Sequence, residues 1–384
     1  MPLDLSPLPL IDAHCHSLLR DFTQLDEAAF LGHFSESSDP QQLLHHVPHS
    51  LFWHGAQRLL SSLHGCAPEL PALLEARRKT APAELITRLL SGQGYQAMLV
   101  DRAYPPHGLP LEELQALLPA RLYEVVRIEA VAEELLPQTS GLRALQRAFG
   151  EALRRAVEAG AVAFKSIIAY RAGLRLDAPS ESKARAAYKR EIEAAEQSGR
   201  VRLQEAPLLA ILLRQALEIA AEHGLPFQFH TGFGDQDLDL RLADPLHLRP
   251  ILRDPGLAGV PIVLLHAGYP YVRQAGYLAS TYPQVYVDWS LAAPFLHLGL
   301  EPLLASLLEL APFSKLLFGS DAHGIPEHWL LAARWSKRAL GQVLNRYVER
   351  GWLSTSQASD AAHLMLWKNA AILFRLPSSP SARG

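Results

Sequence analysis

A chain of 384 residues, 49% hydrophobic and 20% charged, describes an ordinary globular protein able to bury a large core. Its formal net charge of −3 excludes a broad attraction to nucleic acid or anionic lipid, and no run is long and apolar enough to span a bilayer. The opening MPLDLSPLPLIDAHCH lacks the basic and apolar stretches of a signal peptide, and Cys15 and Cys66 are too few for a disulfide framework, so a cytoplasmic, reducing location is expected.

The first expected strand is LPLIDAHCH. Residues i and i+2 of a strand project to one face, so His14 and His16 can both reach one metal ion, which zinc–nitrogen bonds of about 2.0–2.1 Å require. Residues 20–95 follow as a helical insertion far longer than an ordinary connection, and a lid is the expected role. Its His33, His45, His46, His49, His54 and His64 are expected to be surface histidines of a helical cap rather than ligands. The next strands are QAMLVDRAYP, with Arg102 just past its apolar run, and LYEVVRIEAV.

The fourth strand, AVAFKSIIAY, carries Lys165 among apolar residues, where an unpaired cation is costly. Two explanations stand: a buried salt bridge to Glu129 or Asp101, or a carbamate formed with CO₂ that bridges two metals. The segments LRALQRAFGEALRRAVEAG and LLAILLRQALEIAAEHG have helical periodicity and a Gly where a helix should stop. The fifth and sixth strands, PFQFHTGFG and PIVLLHAGYP, place His230 and His266 after short apolar cores and before Gly-containing loops. VYVDWS is the seventh. The eighth, KLLFGSDAHG, ends on Asp321, an acid poorly suited to a core and well suited to a metal. Eight strands alternating with helices predict an α/β fold, a (β/α)8 TIM-like barrel, in a single domain over residues 1–376 with a flexible tail at 377–384.

The ordered set resembles the amidohydrolase superfamily, whose pattern is His-x-His on the first strand, Lys or Glu on the fourth, His on the fifth and sixth and Asp on the eighth. His14, His16, Lys165, His230, His266 and Asp321 match it position by position. The strings FKSIIAYRAGL, FQFHTGFGDQDLDL, LLHAGYPYVRQAGYLA and LFGSDAHGIPE are similar to the amidohydrolase-related domain that precedes glutamine synthetase in nodulin-like and fungal sporulation proteins. With no room for that synthetase domain here, ligase activity is not expected.

The resemblance implies one or two divalent ions, zinc with Mn or Fe as variants, and hydrolysis of an amide by metal-activated water, with Asp321 and His266 as the proton carriers. A one-metal, non-oxidative decarboxylase on the same scaffold is the alternative. Loop residues Tyr170, Arg171, Arg102, Asp235 and His323 are candidates to hold substrate: an arginine for a carboxylate, and the acidic run Asp235, Asp237 and Asp239 for an amine. A γ-glutamyl or N-acyl amino-acid amide would use both. The plain alternative is that these charges cap helices or pair with each other. The expected partner is a small molecule, with neither nucleic acid nor membrane, and association into a homo-oligomer is compatible with a barrel of this size.

Overall fold

The computed structural model describes residues 3–176 and 178–377, so the tail expected at 377–384 lies, past Pro377, outside the described residues. Eight strands form one sheet in the order β1-β2-β3-β4-β5-β6-β7-β8, the (β/α)8 barrel that the alternation of short apolar runs and amphipathic helices predicts. They are β1 (Leu10–His16), β2 (Tyr95–Asp101), β3 (Arg121–Arg127), β4 (Ala163–Ser166), β5 (Phe227–Phe229), β6 (Ile262–Leu264), β7 (Val285–Asp288) and β8 (Leu316–Leu317). Every residue of β1, β4, β5 and β6 is buried, because crossover helices cover the outside of a parallel strand while side chains fill the inside.

The chain divides into two compact units. The first holds the residues up to Leu122, Gly234–Gln236 and the chain from Asp288 on; the second holds Tyr123–Phe233 and Asp237–Val287.

In the first unit β1 pairs in parallel with β2, His16 opposite Asp101. Its other edge is taken by the chain after β8: Ala13 N donates to Phe318 O, Asp321 N to His14 O and His16 N to Ala322 O, at 2.8–2.9 Å. β8 is only two residues long because the chain leaves regular geometry early to deliver Asp321.

The insertion consists of short helices whose starts are written in the sequence. Asp26 accepts from Ala29 N, Asp39 from Gln41 and Gln42 N ahead of Pro40, and Ser50 from Trp53 N. Phe30, Phe34, Phe52 and Trp53 make its core, with ring centroids of Phe34–Trp53 at 4.9 Å and Phe34–Phe52 at 5.2 Å. Arg77, fully buried, donates from Nε to Glu327 Oε1 at 2.5 Å and from Nη2 to Phe22 O at 2.9 Å, and its guanidinium lies 4.4 Å above the Phe30 ring. Glu327 opens the long helix Glu327–Glu349.

The second unit carries β3 to β7, with Arg127 opposite Lys165 and Lys165 opposite Gln228 in register. Its helix Ala206–His223 ends on left-handed Gly224, as expected. The helix Leu142–Glu158 instead ends on Ala159, and the positive φ falls one residue later, at Gly160. Among the described residues no helix is long and apolar enough to cross a membrane.

Candidate metal centre

In the first unit, β1 presents His14 and His16 on one side, as the two-residue spacing requires, and Asp321 meets both. Asp321 Oδ1 lies 3.0 Å from His14 Nε2 and 3.3 Å from His16 Nε2. Among the described residues this is the one His/Cys/Asp/Glu trio whose ligand atoms all fall within 4.8 Å of one another, and all three are buried. Asp321 reaches in from a left-handed backbone, φ 55, a conformation that costs a non-glycine residue about 1–3 kcal/mol and that structures retain where a side chain must be aimed.

The hydrogen bonds favour a cation. His16 Nδ1 is 2.9 Å from the carbonyl oxygen of Asp101, which can only accept, so Nδ1 carries the proton and Nε2 of the neutral ring presents its lone pair. A lone pair facing a carboxylate oxygen at 3.3 Å is repulsive unless a positive charge lies between them or the ring is protonated. Two imidazoles and one carboxylate are a donor set suited to Zn²⁺, and a backbone carbonyl holding the far nitrogen is the usual outer support of such a ligand.

Asp12, on the same strand, secures the position of Asp321. Its carboxylate accepts from Ser320 N at 2.8 Å, from the Ser320 hydroxyl, and from His14 N at 3.3 Å. Complete burial pushes its pKa up to about 7 against the pull of these hydrogen bonds. Sequence reading singled out His14 and His16 but missed this acid between Ile11 and Ala13.

Around the trio the insertion contributes more than expected. His45, His46, His49 and His54 are exposed, as predicted, but His33 packs against His323 at 5.7 Å and His328 at 6.0 Å between ring centroids. A Cβ on Gly324 would meet His33 Cε1 at 2.3 Å, so only glycine fits there. His323 Nδ1 lies 2.9 Å from Asp321 O, and its ring faces Tyr104 at 5.4 Å. Glu36, also from the insertion, has its carboxyl pushed up to about 8, chiefly by burial and then by the charges of Asp321 and Asp235. The expectation that insertion histidines only face solvent therefore fails for His33, which the aromatic packing of the insertion turns inward, and for His64, half-buried with Nδ1 3.2 Å from Arg88 Nη1.

In the second unit, His266 Nε2 faces His230 Nδ1 at 3.0 Å, and His230 Nε2 lies 3.1 Å from Phe233 O. The carbonyl again fixes the tautomer: His230 Nε2 donates, leaving Nδ1 to share with His266 a proton or a cation. His266 and Ala267 both have positive φ, 65 and 55. Gly232 holds the loop after β5 tight: with φ 74, any Cβ would meet Tyr269 O at 2.3 Å. Tyr170 lies on the His230 ring with centroids 4.4 Å apart.

Lys165 is 2% exposed. One of its expected partners is taken: Glu129 accepts from the Ser166 hydroxyl and from Ile167 N at 3.1 Å rather than pairing with Lys165. The Ser166 hydroxyl and the Ile167 N–H satisfy the acid from one and two residues further along the chain. Arg171 pairs with Glu133 at 3.0 Å. Asp237 pairs with Arg202 at 2.9 Å and Asp239 caps the turn at Leu240–Leu242, so the plainer reading holds for these two acids. Arg102 and Asp235 are exposed.

Known proteins resemble this chain over nearly its whole length. The family model described as amidohydrolase matches residues 11–376. Protein fluG of Emericella nidulans is 31% identical over 405 residues, covering 97% of this chain and 46% of that protein, so the chain spans about half the length of this relative. A crystal structure of a protein described as a metal-dependent hydrolase, from Lactobacillus casei ATCC 334, superposes with a TM-score of 0.87 at 30% identity, covering 98% of each chain. Glucuronate isomerase from Caulobacter crescentus shares the fold, with a TM-score of 0.67 at 16% identity over 98% of this chain and 93% of its own.

Proposed function

The chain belongs to the amidohydrolase family, and on that premise we propose that it hydrolyses an amide of a small molecule, of the γ-glutamyl or N-acyl amino-acid type, with a divalent metal held by His14, His16 and Asp321. The observation that carries this reading is the meeting of two imidazole nitrogens with one carboxylate oxygen at the end of β1. A divalent ion bound there supplies a Lewis acid that polarises a carbonyl and lowers the pKa of water toward about 7. Zinc fits the donor set, with Mn or Fe as alternatives.

The chain's own residues supply the proton traffic. Asp321 is the proposed base and then acid: its carboxylate takes the proton of the attacking water and returns it to the leaving nitrogen. His16 holds its tautomer through the Asp101 carbonyl and so keeps Nε2 directed at Asp321. His230 and His266, with Lys165 as an amine or a carbamate, are proposed as ligands of a second ion; with one ion bound, His266 becomes a further proton carrier. Tyr170, Arg171, His323, Arg102 and Asp235 are proposed substrate contacts, and the insertion is the proposed lid, a role supported by the fit of His33 on Gly324.

The test is a metal assay on the purified chain together with a screen of γ-glutamyl and N-acyl amino-acid amides for amine release. Release of CO₂ from aromatic acids instead would identify the decarboxylase. A metal-free protein with full activity would end both readings.

A further inference from the structure

We propose that Arg171 is the receptor for a substrate carboxylate; the inference rests on the hydrolase reading above and narrows it to substrates that carry a free acid. Arg171 follows the turn Ile168–Tyr170 that leaves β4, and its N–H donates to Ile168 O at 3.0 Å. The side chain is 9% exposed. One corner of the guanidinium, Nη2, is held by Glu133 Oε1 at 3.0 Å, an oxygen that also accepts Leu203 N at 2.9 Å. Nε and Nη1 are buried and have no acceptor among the described residues.

A buried donor left without an acceptor costs about 1–3 kcal/mol, and a charged one costs more. A purely structural ion pair would place Glu133 side-on across the fork and satisfy two donors at once; here it touches one corner. Glu129 could serve as a second acceptor, but its oxygens are taken by Ser166 and Ile167. The like-charged Arg127 and Arg202 also act on it, and Arg202 is matched by Asp237. Burial lowers the Arg171 pKa from its usual value while Glu133 and Glu129 pull it back, and a guanidinium stays protonated, so Nε and Nη1 remain charged donors.

A planar carboxylate would supply the missing acceptors. On either side of the fork the second N–H of Nη2 completes a two-point contact with Nε or Nη1, the geometry that distinguishes arginine from lysine. The preceding residue, Tyr170, rests its ring on His230 at 4.4 Å, so the turn that carries Arg171 also reaches the His230–His266 pair.

The metal-loaded full chain, titrated calorimetrically with succinate, glutarate and adipate and with the neutral diamides of the same lengths, tests this. At least one dicarboxylate should bind where its diamide does not. Arg171→Met should weaken that binding about tenfold or more, Arg171→Lys less, and Glu133→Gln should strengthen it by removing the competing charge. Metal content of each variant, unchanged from wild type, shows that the fold and the metal site persist. Undiminished binding to Arg171→Met overturns the assignment, as does failure of all three dicarboxylates with wild type. Equal displacement by chloride or sulfate would mean an adventitious ion only and overturns it as well. A chain without metal that still loses dicarboxylate binding in Arg171→Met upholds the anion site while the hydrolase reading falls.

Discussion

Nε2 of His16 and Oδ1 of Asp321 stand 3.3 Å apart while the opposite ring nitrogen of His16 is held by the Asp101 carbonyl. A neutral ring so oriented directs electron density at an anion, and a divalent ion relieves the repulsion. The purified chain should therefore hold roughly one to two equivalents of Zn, Mn or Fe, and chelation should lower the melting temperature because the ion binds only the folded state. Asp321→Asn should fold, lose most of its metal and lose turnover. Metal analysis and calorimetry of both proteins check this, and a chelator-insensitive melting curve would contradict it.

Asp12 touches no proposed ligand atom, yet it holds Ser320 and, through it, the chain carrying Asp321. Asp12→Ala should reduce metal affinity by about 10- to 100-fold, the usual effect of losing an outer support. Competition with a chelator of known affinity measures it. Asp12→Asn, which can still accept from Ser320, should recover part of the loss.

At Gly232 the loops after β5 and β6 come too close for a side chain. Gly232→Ala should destabilise the chain by at least about 1–3 kcal/mol in chemical denaturation, from the left-handed backbone alone. The displaced loop should also part His230 from His266, so if two ions bind, the variant should retain one. A variant as stable as wild type with its full metal complement would show that the contact yields without cost.

His328 is fully buried against Phe34, Phe52 and Phe295, with His33 and His323 also facing it. Burial first, then the charge of His323, lowers its pKa from 6.5 to about 3. Between those values an unfolded chain takes up a proton that the folded chain refuses, so stability is full above pH 6.5 and falls as the pH drops toward 3. His328→Phe should flatten this acid limb. Denaturation midpoints of both proteins at pH 7, 5.5 and 4.5 give the comparison, and parallel curves would mean that other groups govern acid unfolding.

The strands were legible because a buried parallel strand must be a short apolar run, and the runs ending in His16, His230, His266 and Asp321 carry polar residues where only chemistry explains them. The two-residue spacing of His14 and His16 translated directly into geometry. What stayed hidden depends on distant pairs. Asp12 is anchored by Ser320, 308 positions away, and no local pattern marks that bond. His33 looked like one of six insertion histidines, and only the packing around Phe30, Phe34 and His328 turns it inward. Arg171 was recognisable as a loop cation, but its vacant nitrogens appear only once Glu129 and Glu133 are seen to be occupied by other donors.

The contact between Arg77 in the insertion and Glu327 at the start of a distant helix makes residues 20–95 a poor cassette. Excising or exchanging that stretch would strand a carboxylate in the protein interior, a defect typically worth about 3–5 kcal/mol. A relative that lost the insertion would need an apolar or protonated residue where Glu327 stands, and an engineer who transplants it must carry the acid along.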